Sequence, residues 1–180
     1  MANMYFIAIV APAEINTEVL RWKSLMKERF DCEVALRSPA HITLIQPFWM
    51  DSNLEHELKE AIADFSGKRT YPSIVLQNFS SFKPKVIYVD VATNPSLTML
   101  QQQLEEFLLS KELFPFKRDD RPFHPHVTIA TRDLRKKAYA EAWTIFEKKT
   151  YEARWQVDGI SLLKHNQKNW DVIFTSQSEN

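Results

Sequence analysis

The chain has 180 residues, 44% of them hydrophobic and 12% aromatic, a composition typical of a globular protein with one apolar core. Basic and acidic residues number 23 each, and zero net charge argues against a protein that coats nucleic acid through bulk electrostatics. The single cysteine, Cys32, excludes an internal disulfide and is typical of a cytoplasmic protein. We therefore expect one cytoplasmic domain over residues 1–180.

The first apolar run, residues 4–10, allows two interpretations. It precedes Ala11-Pro12-Ala13, which faintly resembles a signal-peptide cleavage site, but no Lys or Arg precedes the run. Its aromatic and β-branched residues favour a buried first strand, which is the interpretation we adopt. No apolar run approaches the ~20 residues that a membrane span needs, so we expect no membrane association.

Hydrophobic spacing predicts a mixture of strands and helices without strict alternation. In chain order the predicted elements are strand 5–10, helix 15–30, strands 33–36 and 41–46, helix 53–65, strands 73–79 and 86–91, helix 96–109, an irregular loop at 114–125, strand 126–131, helix 134–148, and a terminal hairpin of strands 155–163 and 170–175. Pro47 is expected to end the strand at 41–46, and residues 176–180 are expected to form a frayed tail. With only two glycines, glycine-rich phosphate loops are excluded.

Two short segments, His41-Ile42-Thr43-Leu44 and His126-Val127-Thr128-Ile129, repeat one pattern in the two halves of the chain. Both lie in predicted strands, where residues i and i+2 point to one face. Each histidine should therefore share a face with its threonine, while the apolar residues point into a core. Two such matches among five histidines would arise by chance in about one sequence in a thousand. A half-buried polar sheet face is the alternative interpretation.

Paired histidines of this kind fit phosphodiester cleavage. In-line displacement at phosphorus needs a base for the attacking oxygen and an acid for the leaving oxygen, and an imidazole with a pKa near 6.5 can serve as either. The hydroxyls of Thr43 and Thr128 can donate to the non-bridging oxygens as these gain charge. The scheme assigns catalysis to His41, Thr43, His126 and Thr128 and requires neither a metal nor a cofactor.

At these residues the sequence resembles the 2H phosphoesterase superfamily, near its RNA 2′,3′-cyclic phosphodiesterase and 2′,5′ RNA ligase branch. The resemblance rests on segments 4–9, 39–44, 79–82, 86–89 and 121–129. It implies a two-lobed, pseudo-symmetric α+β fold, with antiparallel sheets lining a central cleft and helices outside. It also implies hydrolysis of cyclic phosphates, or reversible joining of RNA ends, without metal or ATP.

The sequence departs from relatives at two places. Thr131 stands where relatives often have an arginine, and the first motif continues into Ile45-Gln46-Pro47-Phe48 in place of a different, often glycine-ended run. Both departures concern the substrate more than the chemistry. RNA ends, small cyclic nucleotides and ADP-ribose cyclic phosphate all remain open, and no obligate protein partner is predicted.

Other residues are weaker candidates for substrate contact. His124 precedes a proline, which favours an extended backbone at His124 and would place its side chain on the same side as His126. It is then a substrate contact, a metal ligand together with His126, or an exposed loop residue. Arg121, with Lys117 and Arg118, either attracts a phosphate chain or solvates a loop. Tyr5 and Phe48 either stack on a base or pack in the core, and Lys164 and His165 either border the cleft or form an exposed turn.

Two hypotheses follow for the whole chain. The first is an enzyme that hydrolyses a 2′,3′-cyclic phosphate or a related cyclic phosphodiester, with the acid and base roles of the two histidines unassigned. The second is a nucleotide- or RNA-end-binding module that keeps the cleft but turns over poorly. The intact pair of histidines and threonines favours the enzyme.

Overall fold

The computed structural model describes residues 1–67 and 69–177. Its strands are β1 (Ala2–Val10), β2 (His41–Asp51), β3 (Ser73–Phe82), β4 (Val86–Val91), β5 (His126–Ala130), β6 (Glu152–Gln156), β7 (Ser161–His165) and β8 (Trp170–Thr175). Its α-helices are α1 (Ala13–Phe30), α2 (Glu55–Ser66), α3 (Pro95–Ser110) and α4 (Lys136–Phe146), with short 3₁₀ helices at Val34–Arg37 and Ser52–Leu54. Within the described part of the chain, no helix combines the length and apolar character needed to cross a membrane.

The strands form two four-stranded antiparallel sheets, in the orders β2-β1-β7-β8 and β5-β4-β3-β6. We call the part of the chain around the β2-β1-β7-β8 sheet the first lobe, and the part around the β5-β4-β3-β6 sheet the second lobe. β2 and β5 are edge strands of their sheets, and they pack against each other. The expected α+β architecture with two antiparallel sheets is confirmed, and each sheet carries one His-x-Thr segment.

β1 is buried on both faces, which explains its continuous apolar run. Tyr5, Ile7 and Ile9 point into the main core. Phe6 and Ala8 point to the opposite face, where they form a smaller cluster with Leu163 of β7. The predicted buried first strand is confirmed, and its second face lies beside His41, because Val10 at the end of that face is opposite His41 in the ladder.

Two predicted strand bounds are wrong for reasons of tertiary context. Residues 33–36 were expected to form a strand, but the 3₁₀ helix Val34–Arg37 replaces it because the Asp133 carboxylate accepts the backbone N–H groups of Glu33 and Val34, at 2.6 and 2.9 Å. β2 runs past Pro47 to Asp51. An edge strand tolerates proline at a register irregularity, and the β1–β2 register shifts beside Pro47.

The predicted strand at 155–163 is also wrong, since the chain changes sheets within it. β6 pairs with β3 in the second lobe, whereas β7 pairs with β1 in the first. Gly159 lies in the crossing segment, and a Cβ there would overlap the carbonyl oxygen of Ser176. Ser176 is itself buried, with its hydroxyl 2.6 Å from that of Ser66. The expected frayed tail is therefore wrong at Ser176, and residues 178–180 lie outside the described residues.

Candidate active site

His41 begins β2 and His126 begins β5, the two edge strands that pack against each other. Both histidines and their threonines are half-buried. The alternating apolar residues are buried, as the strand periodicity predicted: Ile42, Leu44, Val127 and Ile129. Each polar pair thus lies on one face of a strand whose other face is anchored in the core.

The two imidazoles are held by the same hydrogen bond. His41 Nδ1 lies 2.7 Å from the carbonyl oxygen of Pro39, and His126 Nδ1 lies 2.7 Å from that of His124. A carbonyl oxygen can only accept, so each Nδ1 must carry the proton. Each Nε2 is then left with a lone pair in the neutral ring, and neither Nε2 has a hydrogen-bond partner among the described residues. The local geometry therefore repeats between the lobes.

Burial, together with the charges of Lys23 and His126, lowers the pKa of His41 from 6.5 to about 4, against the opposing effect of the Pro39 carbonyl. Its ring packs on Phe6, with the centroids 4.8 Å apart. The net pKa of His41 therefore lies well below 7. His41 is thus neutral at pH 7.

Burial also lowers the pKa of His126, and the neighbouring charge of His124 adds to the effect. The His124 carbonyl and the Asp90 carboxylate act in the opposite direction. The His126 ring lies 4.9 Å from the Tyr88 ring and 5.2 Å from the Phe82 ring, between centroids. Unlike His41, His126 has a carboxylate nearby, that of Asp90, which favours its charged form.

Thr43 and Thr128 occupy equivalent positions beside the histidines. In the ladders Thr43 is opposite Ala8 of β1, and Thr128 is opposite Tyr88 of β4. Within residues 1–67 and 69–177, neither threonine hydroxyl has a hydrogen-bond partner. Both hydroxyls are thus available to a ligand.

His124 belongs to the group around His126. Its Nε2 lies 3.2 Å from the Tyr88 hydroxyl and 3.5 Å from Asp90 Oδ1, and its ring centroid is 6.2 Å from that of His126. In the described portion of the chain, no three His, Cys, Asp or Glu side chains are grouped so that they could hold a metal ion. Substrate contact by His124 stays a prediction.

The remaining candidates are paired with other side chains or are buried. Arg121 forms a double hydrogen bond with Asp119, at 2.9 and 2.7 Å, in an exposed loop, so its substrate role stays a prediction. Tyr5 and Phe48 are 0% and 7% exposed. Stacking on a base is wrong for both, because their ring faces pack in the core, where Tyr5 donates to Glu55.

The two candidates near the terminal turn, Lys164 and His165, have different neighbours. Lys164 pairs with Glu55 at 2.8 Å, on the side of Tyr5. His165 packs on Trp170, with the centroids 4.9 Å apart, and Trp170 packs on Phe6 at 4.6 Å. His165 therefore adjoins the aromatic face that supports His41, whereas Lys164 does not.

Lys23 is not among the candidate residues predicted from the sequence. Its side chain is 3% exposed, its Nζ donates to the Ser38 carbonyl at 2.9 Å, and burial lowers its pKa to about 8. The signal was present in the sequence, because Lys23 falls four residues after Val19 and three before Met26, within the apolar stripe of α1. A lysine at a core position of a helix marks a buried charge near His41.

The comparisons with known proteins agree with this fold. A family model described as the 2′-5′ RNA ligase superfamily matches residues 11–169. A Bacillus cytotoxicus protein named "Putative phosphoesterase Bcer98_0945" is 28% identical over 151 residues, covering 82% of this chain and 83% of that protein.

Solved structures are similar over almost the whole chain. TT0787 of Thermus thermophilus has a TM-score of 0.67 at 16% identity, with 97% of each chain covered. LigT of E. coli, complexed with 3′-AMP, has a TM-score of 0.66 at 18% identity, with 100% of each chain covered. The phosphodiesterase domain of MHV ns2 has a TM-score of 0.57 at 14% identity, with 92% of this chain and 100% of that chain covered. With two antiparallel sheets that each present a His-x-Thr segment, and with a family match over most of its length, the chain belongs to the 2′-5′ RNA ligase superfamily of 2H phosphoesterases.

Proposed function

We propose that the chain is a metal-independent phosphodiesterase that hydrolyses 2′,3′-cyclic phosphates at the ends of RNA or on nucleotides, in the cytoplasm. The observation that carries this proposal is the matched pair of Nδ1–H···O=C hydrogen bonds, which leaves one Nε2 on each edge strand for proton transfer. Two oriented imidazoles supply both the base and the acid that in-line displacement needs. Membership of a phosphoesterase superfamily supports the reaction class.

In this reaction His41 Nε2 removes a proton from water as the water oxygen attacks phosphorus. The bond from phosphorus to one ribose oxygen breaks, and the Nε2–H of protonated His126 donates its proton to that oxygen. The product is a nucleoside monophosphate with a free neighbouring hydroxyl. Thr43 and Thr128 donate to the non-bridging oxygens, whose charge grows in the transition state.

The surroundings of the two rings support this assignment of roles. A pKa of about 4 keeps His41 neutral at pH 7, with its lone pair available to accept a proton. Asp90 raises the pKa of His126 against the effect of burial, and a bound anionic phosphate between the rings would raise it further. His126 is thus the better proton donor in the complex.

The same pair can join ends when a ribose hydroxyl takes the place of water. Attack by the 5′-hydroxyl of a second RNA end on the cyclic phosphate would form a 2′,5′ linkage, and its cleavage is the same step reversed. E. coli LigT has been crystallised with 3′-AMP, which is chemically a product of opening adenosine 2′,3′-cyclic phosphate. That structural relative supports a nucleotide substrate for the present chain.

The test is hydrolysis of adenosine 2′,3′-cyclic phosphate in the presence of EDTA. We expect turnover by the wild type and a fall of at least about 10³-fold in kcat for His41→Ala and for His126→Ala. His56→Ala is the matched control, because His56 is an exposed histidine on α2, and it should keep the wild-type rate.

Other outcomes would contradict the proposal in different ways. Turnover that EDTA abolishes would point to a metal-dependent reaction. Tight binding of the cyclic nucleotide without turnover by the wild type would identify the chain as a binding module.

A further inference from the structure

A pocket of about 280 Å³ opens beside His41, between helix α1 and the β7–β8 turn. Its lining includes Lys23, Arg37, Pro39, Asn169 and Trp170. Pro39 also supplies the carbonyl that holds His41 Nδ1. The pocket and the candidate base thus share a wall.

The charge in this pocket lacks a counter-ion. The Lys23 side chain is 3% exposed, and its single hydrogen bond goes to a neutral carbonyl, that of Ser38. An ammonium has three N–H donors, so two remain for a ligand. Neither Lys23 nor Arg37 forms an ion pair with any described residue. A buried cation without a partner is unfavourable, and an anion bound in the pocket would remove that penalty.

An aromatic face connects the pocket to the candidate catalytic residues. The Phe6 ring packs on both His41 and Trp170, with centroid separations of 4.8 and 4.6 Å. Trp170 also lines the pocket. A ligand whose cyclic phosphate lies at His41 can therefore extend along Trp170 toward Lys23, with a base or ribose against the indole.

We infer that this pocket binds a second phosphate of the substrate, held by Lys23 and Arg37. Lysine and arginine are the side chains that bind phosphate most strongly, through charge-assisted hydrogen bonds. The substrate class is then a 2′,3′-cyclic phosphate that carries a further phosphate, as an oligonucleotide end or a 5′-phosphorylated nucleotide does. The inference rests on the proposed function, because it takes His41 to act on the cyclic phosphate.

The first experiment compares kcat/KM for adenosine 2′,3′-cyclic phosphate and for the same compound with a 5′-phosphate. We expect the wild type to prefer the 5′-phosphorylated substrate by about tenfold or more. Lys23→Met keeps the side-chain length without the charge and should reduce this ratio toward one, as should Arg37→Gln. Lys27→Met is the matched control on the same helix, since Lys27 is exposed and paired with Glu33, and it should keep the wild-type ratio.

The ratio separates a phosphate site from a merely structural role. A structural role for Lys23 would lower kcat/KM for both substrates equally and leave the ratio unchanged. A wild-type ratio near one, or a ratio that survives in both Lys23→Met and Arg37→Gln, would overturn the inference. If circular dichroism shows that Lys23→Met does not fold, Arg37→Gln decides the question, because Arg37 is exposed and its substitution should not disturb folding.

A second experiment distinguishes failure of this inference from failure of the proposed function. Calorimetry compares the affinities for adenosine 3′-phosphate and adenosine 3′,5′-bisphosphate, which needs no turnover. If the wild type binds the bisphosphate about tenfold more tightly than the monophosphate, and Arg37→Gln binds both equally, the phosphate pocket is supported. This holds even if the protein hydrolyses neither cyclic substrate. Equal affinities in a chain that does hydrolyse cyclic phosphates would overturn the pocket and leave the proposed function intact.

Discussion

The two lobes hold their histidines in the same way but surround them differently. Both rings donate from Nδ1 to the carbonyl two residues earlier, at the same distance of 2.7 Å. In the ladders, His41 is opposite the apolar Val10, whereas His126 is opposite Asp90. The backbone repeats the orientation of the imidazole, while the neighbouring side chains decide which protonation state it prefers.

The contrast extends beyond the strands. Lys23 lies near His41 and lowers its pKa, whereas Asp90 acts to raise that of His126. A cation near one imidazole and an anion near the other favour opposite protonation states. A pair of otherwise equivalent residues thereby becomes suited to act as base and acid. The predictions below test first what the lobes share and then what separates them.

After the loss expected for the histidine variants, the next largest effect concerns the shared threonines. Thr43→Val and Thr128→Val keep the side-chain shape but remove a hydroxyl donor, so each should lower kcat about 10²-fold. The measurement is steady-state hydrolysis of adenosine 2′,3′-cyclic phosphate. Thr43→Ser and Thr128→Ser retain the hydroxyl and should keep most of the activity. If only one valine variant lost activity, the two lobes would not contribute equally to charge stabilisation.

The pH dependence comes next, because it reports both imidazoles. In the free protein the pKa of His41 is lowered to about 4 and that of His126 is lowered from 6.5. A lowered pKa moves protonation to lower pH, so kcat/KM should rise as His41 loses its proton near pH 4. It should fall as His126 loses its proton below pH 6.5, which gives a maximum on the acid side of 6.5.

The profile of kcat should differ from that of kcat/KM in a defined direction. A bound phosphate anion stabilises the imidazolium of His126 and raises its pKa in the complex. The alkaline limb of kcat should therefore lie at higher pH than that of kcat/KM. A profile of kcat/KM that is flat between about pH 5 and 8 would contradict titration by this pair.

The smallest expected effect comes from substituting the residues that lie opposite the two histidines in the strand ladders. Asp90→Asn removes the anion that opposes the lowering of the His126 pKa, so the alkaline limb of kcat/KM should move to lower pH. Val10→Asp places a carboxylate opposite His41 and should move the acid limb up. Asp171→Asn, an exposed carboxylate on β8, is the control and should leave both limbs in place. Absence of any shift in Asp90→Asn would show that Asp90 does not distinguish the two lobes.

Sequence patterns predicted the His-x-Thr strands well, because strand periodicity is local. Ile42 and Val127 are buried, as the alternation requires. Predictions failed where distant contacts override local preference. Asp133 turns residues 33–36 into a 3₁₀ helix through hydrogen bonds from 100 residues away. The segment that crosses between the two sheets contains Gly159, which the backbone of Ser176 approaches closely.

The amino-acid sequence by itself determined the chemical groups of the site, since the two motifs carry both imidazoles and both hydroxyls on strands with one buried face. The tertiary structure alone decided what surrounds those groups. Val10 and Asp90 become neighbours of the histidines through strand pairing, and Lys23 through the packing of α1. Protonation depends on burial and on charges brought close by folding, so the proposed assignment of base and acid depends on the tertiary structure.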